Sequence, residues 1–98
     1  MNKFAVIPNL TKSNAYEVAL SVCDRLFQLG AKVFIPEENR ADFNELDKAV
    51  FLSGDDIMKQ CSAIIAVGGD GTILRCAKEA AKFGKPVLGI NAGTLGYM

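Results

Sequence analysis

Histidine is absent from the 98 residues. That excludes a Ser–His–Asp or Cys–His triad, an HExxH zinc site and any histidine acid–base step supplied by this chain. Net charge is also missing: 11 Lys and Arg balance 11 Asp and Glu. A neutral chain is a poor match for a basic nucleic-acid platform or a polybasic membrane patch, so neither nucleic acid nor membrane is expected as a partner. Long apolar runs are lacking too. The longest, Ala63–Val67, has five residues, far short of a membrane span or a signal h-region. Cysteine is sparse. Cys23, Cys61 and Cys76 cannot all pair and none sits in a CxxC, which predicts reduced thiols packed as small core residues in a cytoplasmic protein.

What is present is apolar. Leu, Ile, Val and Phe make up 29 of the 98 residues, well above disordered composition and enough for the core of one small domain. Phe4–Ile7, closed by Pro8, reads as a buried strand within Lys3–Pro8. Asn14 with Glu17 three residues on has the form of a capping box. It opens a helix whose broad apolar face carries Ala15, Ala19, Val22, Leu26 and Leu29, with Tyr16, Leu20, Cys23 and Phe27 alongside. Gly30 is the expected left-handed stop. Ala31–Ile35 is a second strand. The stretch 37–56 is polar, and its apolar island Ala49–Leu52 predicts at most a short edge strand. A short helix over Asp56–Gln60, a buried strand Ala63–Val67, a helix Thr72–Phe83 stopped by Gly84, and a last strand Pro86–Ile90 follow.

Strands alternating with helices, with nearly continuous apolar strands, predict an α/β fold. It is a parallel sheet flanked by helices with right-handed crossovers, forming a single domain over residues 1–98. Ligands of such sheets lie outside the carboxyl ends of the strands. That directs attention to the loops 9–13, 68–72 and 91–98.

Gly68-Gly69-Asp70-Gly71-Thr72 joins a buried strand to a helix. Glycines there permit positive φ and close ligand approach. The free N–H groups at the helix start suit a phosphate. A carboxylate at that mouth is an unusual choice for phosphate alone. It fits a group that accepts a hydrogen bond, or a proton, from a sugar hydroxyl. The alternative is that Asp70 merely caps the helix. The loop is neither a P-loop nor a dinucleotide fingerprint, because Leu74 stands where the third glycine belongs. In the second glycine-rich turn, Gly89 to Met98, Asn91 can bond a ribose or the neighbouring loop, and Tyr97 can lay its ring on an adenine. Each also has a plain reading, as a turn residue and a core plug. Arg75 lies close enough to the loop for a phosphate, or serves a surface or interdomain contact. Lys78, Lys82 and Lys85 read as a solvated helix end, and the acidic run Glu37–Asp47 as a solvated loop.

Together these segments resemble NAD kinases. The likeness rests on GGDGT at Gly68–Thr72, on Ile73-Leu74-Arg75-Cys76-Ala77, and on Val87-Leu88-Gly89-Ile90-Asn91-Ala92-Gly93-Thr94-Leu95-Gly96-Tyr97. Asn9-Leu10-Thr11-Lys12 is a weaker echo of an Asn-x-x-Lys element after the first strand. The family typically reads GGDGTLLRAA and then a GINxGxLGF-like element. Thr94 departs from a frequent basic residue, and Tyr97 from the commoner Phe. GGDGT is shared with lipid kinases and, nearly, with sugar-phosphate kinases, so those are the alternatives, together with a non-catalytic nucleotide-binding fragment. The lipid kinases usually continue with Asn-Glu-Val rather than Ile-Leu-Arg.

The resemblance implies a Rossmann-like N-terminal domain. It implies phosphoryl transfer from ATP or polyphosphate, with Mg²⁺ or a similar divalent ion, to the 2′-hydroxyl of the adenosine ribose of NAD. Asp70 would be catalytic, and Gly68, Gly69, Gly71, Thr72, Asn91, Tyr97 and Arg75 would bind nucleotide, with no resident metal ligands. It further implies a β-rich C-terminal domain that carries an Asn-Glu pair and most homo-oligomer contacts. The 98 residues therefore read as the N-terminal part of a longer enzyme, with little or no activity alone.

Overall fold

The computed structural model describes residues 2–92. Strands β1 (Lys3–Pro8), β2 (Lys32–Pro36), β3 (Val50–Leu52), β4 (Ala63–Gly68) and β5 (Val87–Asn91) alternate with helices α1 (Ala15–Gln28), α2 (Gly54–Gln60) and α3 (Asp70–Lys82). The strands lie in the order β3-β2-β1-β4-β5, every neighbouring pair parallel. This is the expected α/β sheet. Sequence order reverses between β1 and β4, the switch point at which the next connections run to opposite faces.

The two faces follow from strand alternation. Val50, Phe34, Ala5, Ile64 and Val87 are register partners in sequence across all five strands. They form one row with Ile57 and Met58 of α2 and Ala80 of α3 packed over it. Val6, Val33, Ile35, Ile65 and Val67 point the other way, under Ala15, Ala19, Cys23 and Leu26 of α1. Three of those four α1 residues are small, which lets the helix axis lie close to the sheet.

Several expectations are corrected. Leu29 is 67% exposed and Tyr16 40% exposed, so the buried stripe of α1 is narrower than the sequence suggests. The capping box is not formed. Asn14 has helical backbone angles and no side-chain cap bond; its amide donates to the Ala92 carbonyl at 3.4 Å, tying α1 to the end of β5. Helix α2 starts earlier than Asp56, because Ser53 Oγ accepts from the Asp56 N–H and caps it. The polar excursion contributes more than an edge strand. Phe43 is 1% exposed within the α1-side core, its ring 5.3 Å from that of Tyr16. One apolar residue in a polar run carries no periodicity, so only tertiary packing reveals it.

Lys85 is not simply solvated. Its Nζ donates to the Cys61 carbonyl at 2.7 Å, satisfying the carboxyl end of α2. Both left-handed stops are as expected, with φ of 78° at Gly30 and 67° at Gly84. Among the described residues no helix is long and apolar enough to cross a membrane.

All three cysteines are free and buried. Burial pushes the Cys23 thiol up from 9.0 to about 11. A raised folded-state pKa contributes stability that is complete below pH 9 and lost as pH rises through 11. Denaturant midpoints should therefore fall across that window, less steeply for Cys23→Ala. An unchanged slope in that variant would contradict the assignment.

Helix α3 approaches β5 at Gly89, where a Cβ would meet Ile73 Cγ2 at 2.6 Å. Ile73 is β-branched and stiff. Gly89→Ala should therefore cost about 1–3 kcal/mol in urea unfolding followed by circular dichroism. A cost below about 0.5 kcal/mol, the level of a neutral surface change, would mean the helix is not held against the strand there.

Candidate functional site

The chain leaves β1 into the segment 9–14 and leaves β4 through Gly69 into α3, and these two exits flank the switch point. The glycine-rich loop is shorter than the sequence suggests. Gly68 is the last residue of β4, Gly69 caps α3, and Asp70 is the first helical residue. The Ile73 N–H donates to the Gly69 carbonyl at 3.1 Å and begins the helical ladder. The N–H groups of Asp70, Gly71 and Thr72 precede it, with no side-chain cap. They offer an anion the positive end of a 13-residue helix.

The expected positive φ is not found. Among the described residues it occurs only at Gly30 and Gly84; Gly69 is extended, at φ −90° and ψ −178°. The first two glycines serve by leaving room instead. A Cβ on Gly68 would meet Asn9 Cβ at 3.0 Å and Thr72 Cβ at 3.1 Å; one on Gly69 would meet Lys12 Cε at 2.9 Å. A Cβ on Gly71 meets nothing within 4 Å.

Asp70 does not cap its own helix. Its Oδ1 accepts from Asn91 Nδ2 at 2.7 Å, and the residue stays exposed. Asn91 ends β5, in register with Gly68. Asn91 thus meets the neighbouring loop, one of the two readings open for it. The two glycine-rich motifs, 21 residues apart in sequence, meet through this pair. A carboxylate at the first helical position is also favoured by the helix dipole. The bond from Asn91 engages Oδ1 and leaves Oδ2 outside it.

Thr72 turns the other way. It is 5% exposed, and its hydroxyl accepts from Asn9 Nδ2 at 2.8 Å. Arg75 is exposed; five residues along a helix is about 140° around it, so it does not share the face of Asp70. Its charge opposes the rise that burial causes in the Cys76 thiol. Tyr97 lies outside the described residues.

Asn9 and Lys12 have no assigned role in the sequence pattern, yet both stand at the site. The signal available was their position, directly after the carboxyl end of a buried strand, together with the Asn-x-x-Lys echo. Lys12 is exposed, and Asn9 half-buried. No cluster of three His, Cys, Asp or Glu occurs among the described residues. Glu37 pairs with Arg40 at 2.9 Å instead, which holds its carboxyl below the usual range.

The glycines of one motif should thus respond oppositely to alanine. Gly68→Ala is expected to lose about 1–3 kcal/mol by overpacking. Gly71→Ala should be neutral or gain up to about 1 kcal/mol, as glycine relieved inside a helix. Thermal and urea unfolding of both variants measure this, and equal losses would return the loop to the positive-φ account.

The chain matches the family described as ATP-NAD kinase N-terminal domain over residues 4–98. Among curated relatives, an NAD kinase of Thermoanaerobacter sp. (strain X514) is 36% identical, the match covering all of this chain and 34% of the relative. An NAD kinase of Lachnoclostridium phytofermentans is 34% identical, over all of the chain and 32% of that protein. One of Moorella thermoacetica is 33% identical, over all of the chain and 30% of that protein. The chain thus spans about a third of the length of the curated relatives it matches.

Proposed function

The chain belongs to the NAD kinase family by its match to the N-terminal domain, and we propose that it is the nucleotide-binding part of an enzyme making NADP from NAD. The reaction moves the terminal phosphoryl group of ATP, or one from polyphosphate, to the 2′-hydroxyl of the adenosine ribose. The observation that carries this reading is the Asn91–Asp70 hydrogen bond, which fixes an exposed carboxylate at the strand ends beside unpaired helix N–H groups.

In this reading Asp70 Oδ2 takes the proton of the 2′-hydroxyl as that oxygen bonds to phosphorus. The bond from phosphorus to the leaving phosphate oxygen breaks, and ADP, or the shortened polyphosphate, departs with the electron pair. Asn91 holds Oδ1, so the carboxylate cannot swing away. The N–H groups that open α3 receive phosphate oxygens, and Gly69 and Gly71 expose that backbone. A general base so placed contributes typically 10²–10⁴-fold.

The described residues do not form a metal cage. Mg²⁺ is commonly held by one or two carboxylates with substrate phosphates and water. It would fit here as the companion ion of the donor's phosphates, held by their oxygens and water, with Asp70 kept for the hydroxyl. It would supply neutralisation of phosphate charge. Tyr97, beneath adenine, completes the proposed site, and Arg75, on another face of α3, is assigned to a second domain. The chain spans about a third of its relatives' length, and in this reading the rest of the enzyme supplies the opposite wall of the site and the homo-oligomer contacts. A cytoplasmic location belongs to the same reading.

The test is Asp70→Asn in the full-length enzyme carrying this domain. NADP formation from NAD, ATP and Mg²⁺ should fall by at least about 10²-fold, with the unfolding midpoint little changed. A near-normal kcat would remove Asp70 from the chemistry. Turnover of diacylglycerol in place of NAD would move the enzyme to the lipid kinases.

A further inference from the structure

Resting on that functional reading, we infer that Thr72 is a positioning residue: its buried hydroxyl holds Asn9, and Asn9 sets the turn that lays Lys12 over Gly69, where the donor's phosphates dock.

Asn9 uses every polar group it has. Its N–H donates to the Val67 carbonyl at 2.8 Å, anchoring it to β4. Its carbonyl accepts from the Lys12 N–H at 3.2 Å. Oδ1 accepts twice from Thr11, from N–H at 3.1 Å and from Oγ1 at 2.7 Å. Nδ2 donates to Thr72 Oγ1 at 2.8 Å. The Asn9 amide is therefore oriented from both ends, by Thr11 on its own turn and by Thr72 on α3. Thr72 is 5% exposed and its hydroxyl is engaged by Asn9, so its side chain acts within the protein while its backbone N–H opens α3. Gly68 permits this closeness, since a Cβ there would collide with both Asn9 and Thr72.

The consequence is the placement of Lys12. Its Cε and Nζ lie 2.9 and 3.3 Å from the point a Gly69 Cβ would occupy. An ammonium over a helix N-terminus is in the wrong electrostatic place for stability. The Asp70 carboxylate next to Gly69 offsets part of this, but among the described residues Lys12 forms no salt bridge. A cation and unpaired N–H groups converging from two loops favour an anion between them. The tripolyphosphate of the donor carries more of that charge than the diphosphate of NAD, and the ribose hydroxyl carries none.

The experiment uses the full-length enzyme carrying this domain, with two readouts. One is calorimetric titration with inorganic tripolyphosphate, which needs no turnover; the other is steady-state NADP formation. Lys12→Met should weaken tripolyphosphate binding and raise KM for ATP by about 10-fold or more, the range of a charge-assisted hydrogen bond, while KM for NAD stays put. Thr72→Val and Asn9→Ala should each produce the same donor-selective loss, smaller in size. Thr72→Ser should restore it. The decisive variant is Thr72→Val with Lys12→Met, which should be no worse than Lys12→Met alone. Should Thr72→Val fail to fold, Asn9→Ala with Lys12→Met carries the same comparison.

Additive losses, equal effects on both substrates, or no tripolyphosphate binding by the unaltered enzyme would overturn the inference. Unchanged tripolyphosphate affinity in Lys12→Met with normal NADP formation would overturn it and leave the NAD kinase reading standing. The predicted binding pattern in an enzyme that makes no NADP would do the reverse.

Discussion

Two neighbouring parallel strands, β1 and β4, send their chains to opposite faces of the sheet, and the gap between their carboxyl ends is the constraint on which the candidate site depends. Right-handed crossovers running in opposite directions place α1 on one face and α3 on the other. Neither helix then blocks the strand ends. The N–H groups that open α3 are left there without a side-chain cap, and short polar side chains tie the two exits together. Asn9 does this from the β1 side and Asn91 from the β5 side.

The two asparagines do different work. Asn9 is held from four directions and sits partly inside, so its contribution is geometric. Asn91 reaches an exposed carboxylate, and its contribution is to choose which oxygen of Asp70 is left for a ligand. Between them lies the first turn of α3, which carries Asp70 and has Lys12 over Gly69. Packing supports it from behind, because Gly68 and Gly89 set how near α3 lies to β1's exit and to β5.

Much of the fold was legible in order and type. Pro8, Gly30, Pro36, Gly84 and Pro86 punctuate the chain for local steric reasons, and the elements fall between them. Harder were positions where one residue answers to something distant. Asn14 has the sequence of a cap and instead bonds the Ala92 carbonyl. Phe43 looks like part of a solvated loop and is core. Lys85 looks like a solvated charge and closes α2. In each case a tertiary partner more than 20 residues away overrides the local pattern.

By itself, the sequence determined that this is a parallel α/β sheet with glycine-rich turns at the carboxyl ends, because periodicity and glycine placement are local properties of the chain. It also marked Asp70 and Asn91 as candidates, since a carboxylate and an amide at strand exits are chemically conspicuous. Only the tertiary structure decided that these two touch, that Thr72 faces inward to Asn9, and that Lys12 covers Gly69. Those are contacts between residues 21, 63 and 57 positions apart. They are set by strand order and helix approach distance, which no window of sequence encodes.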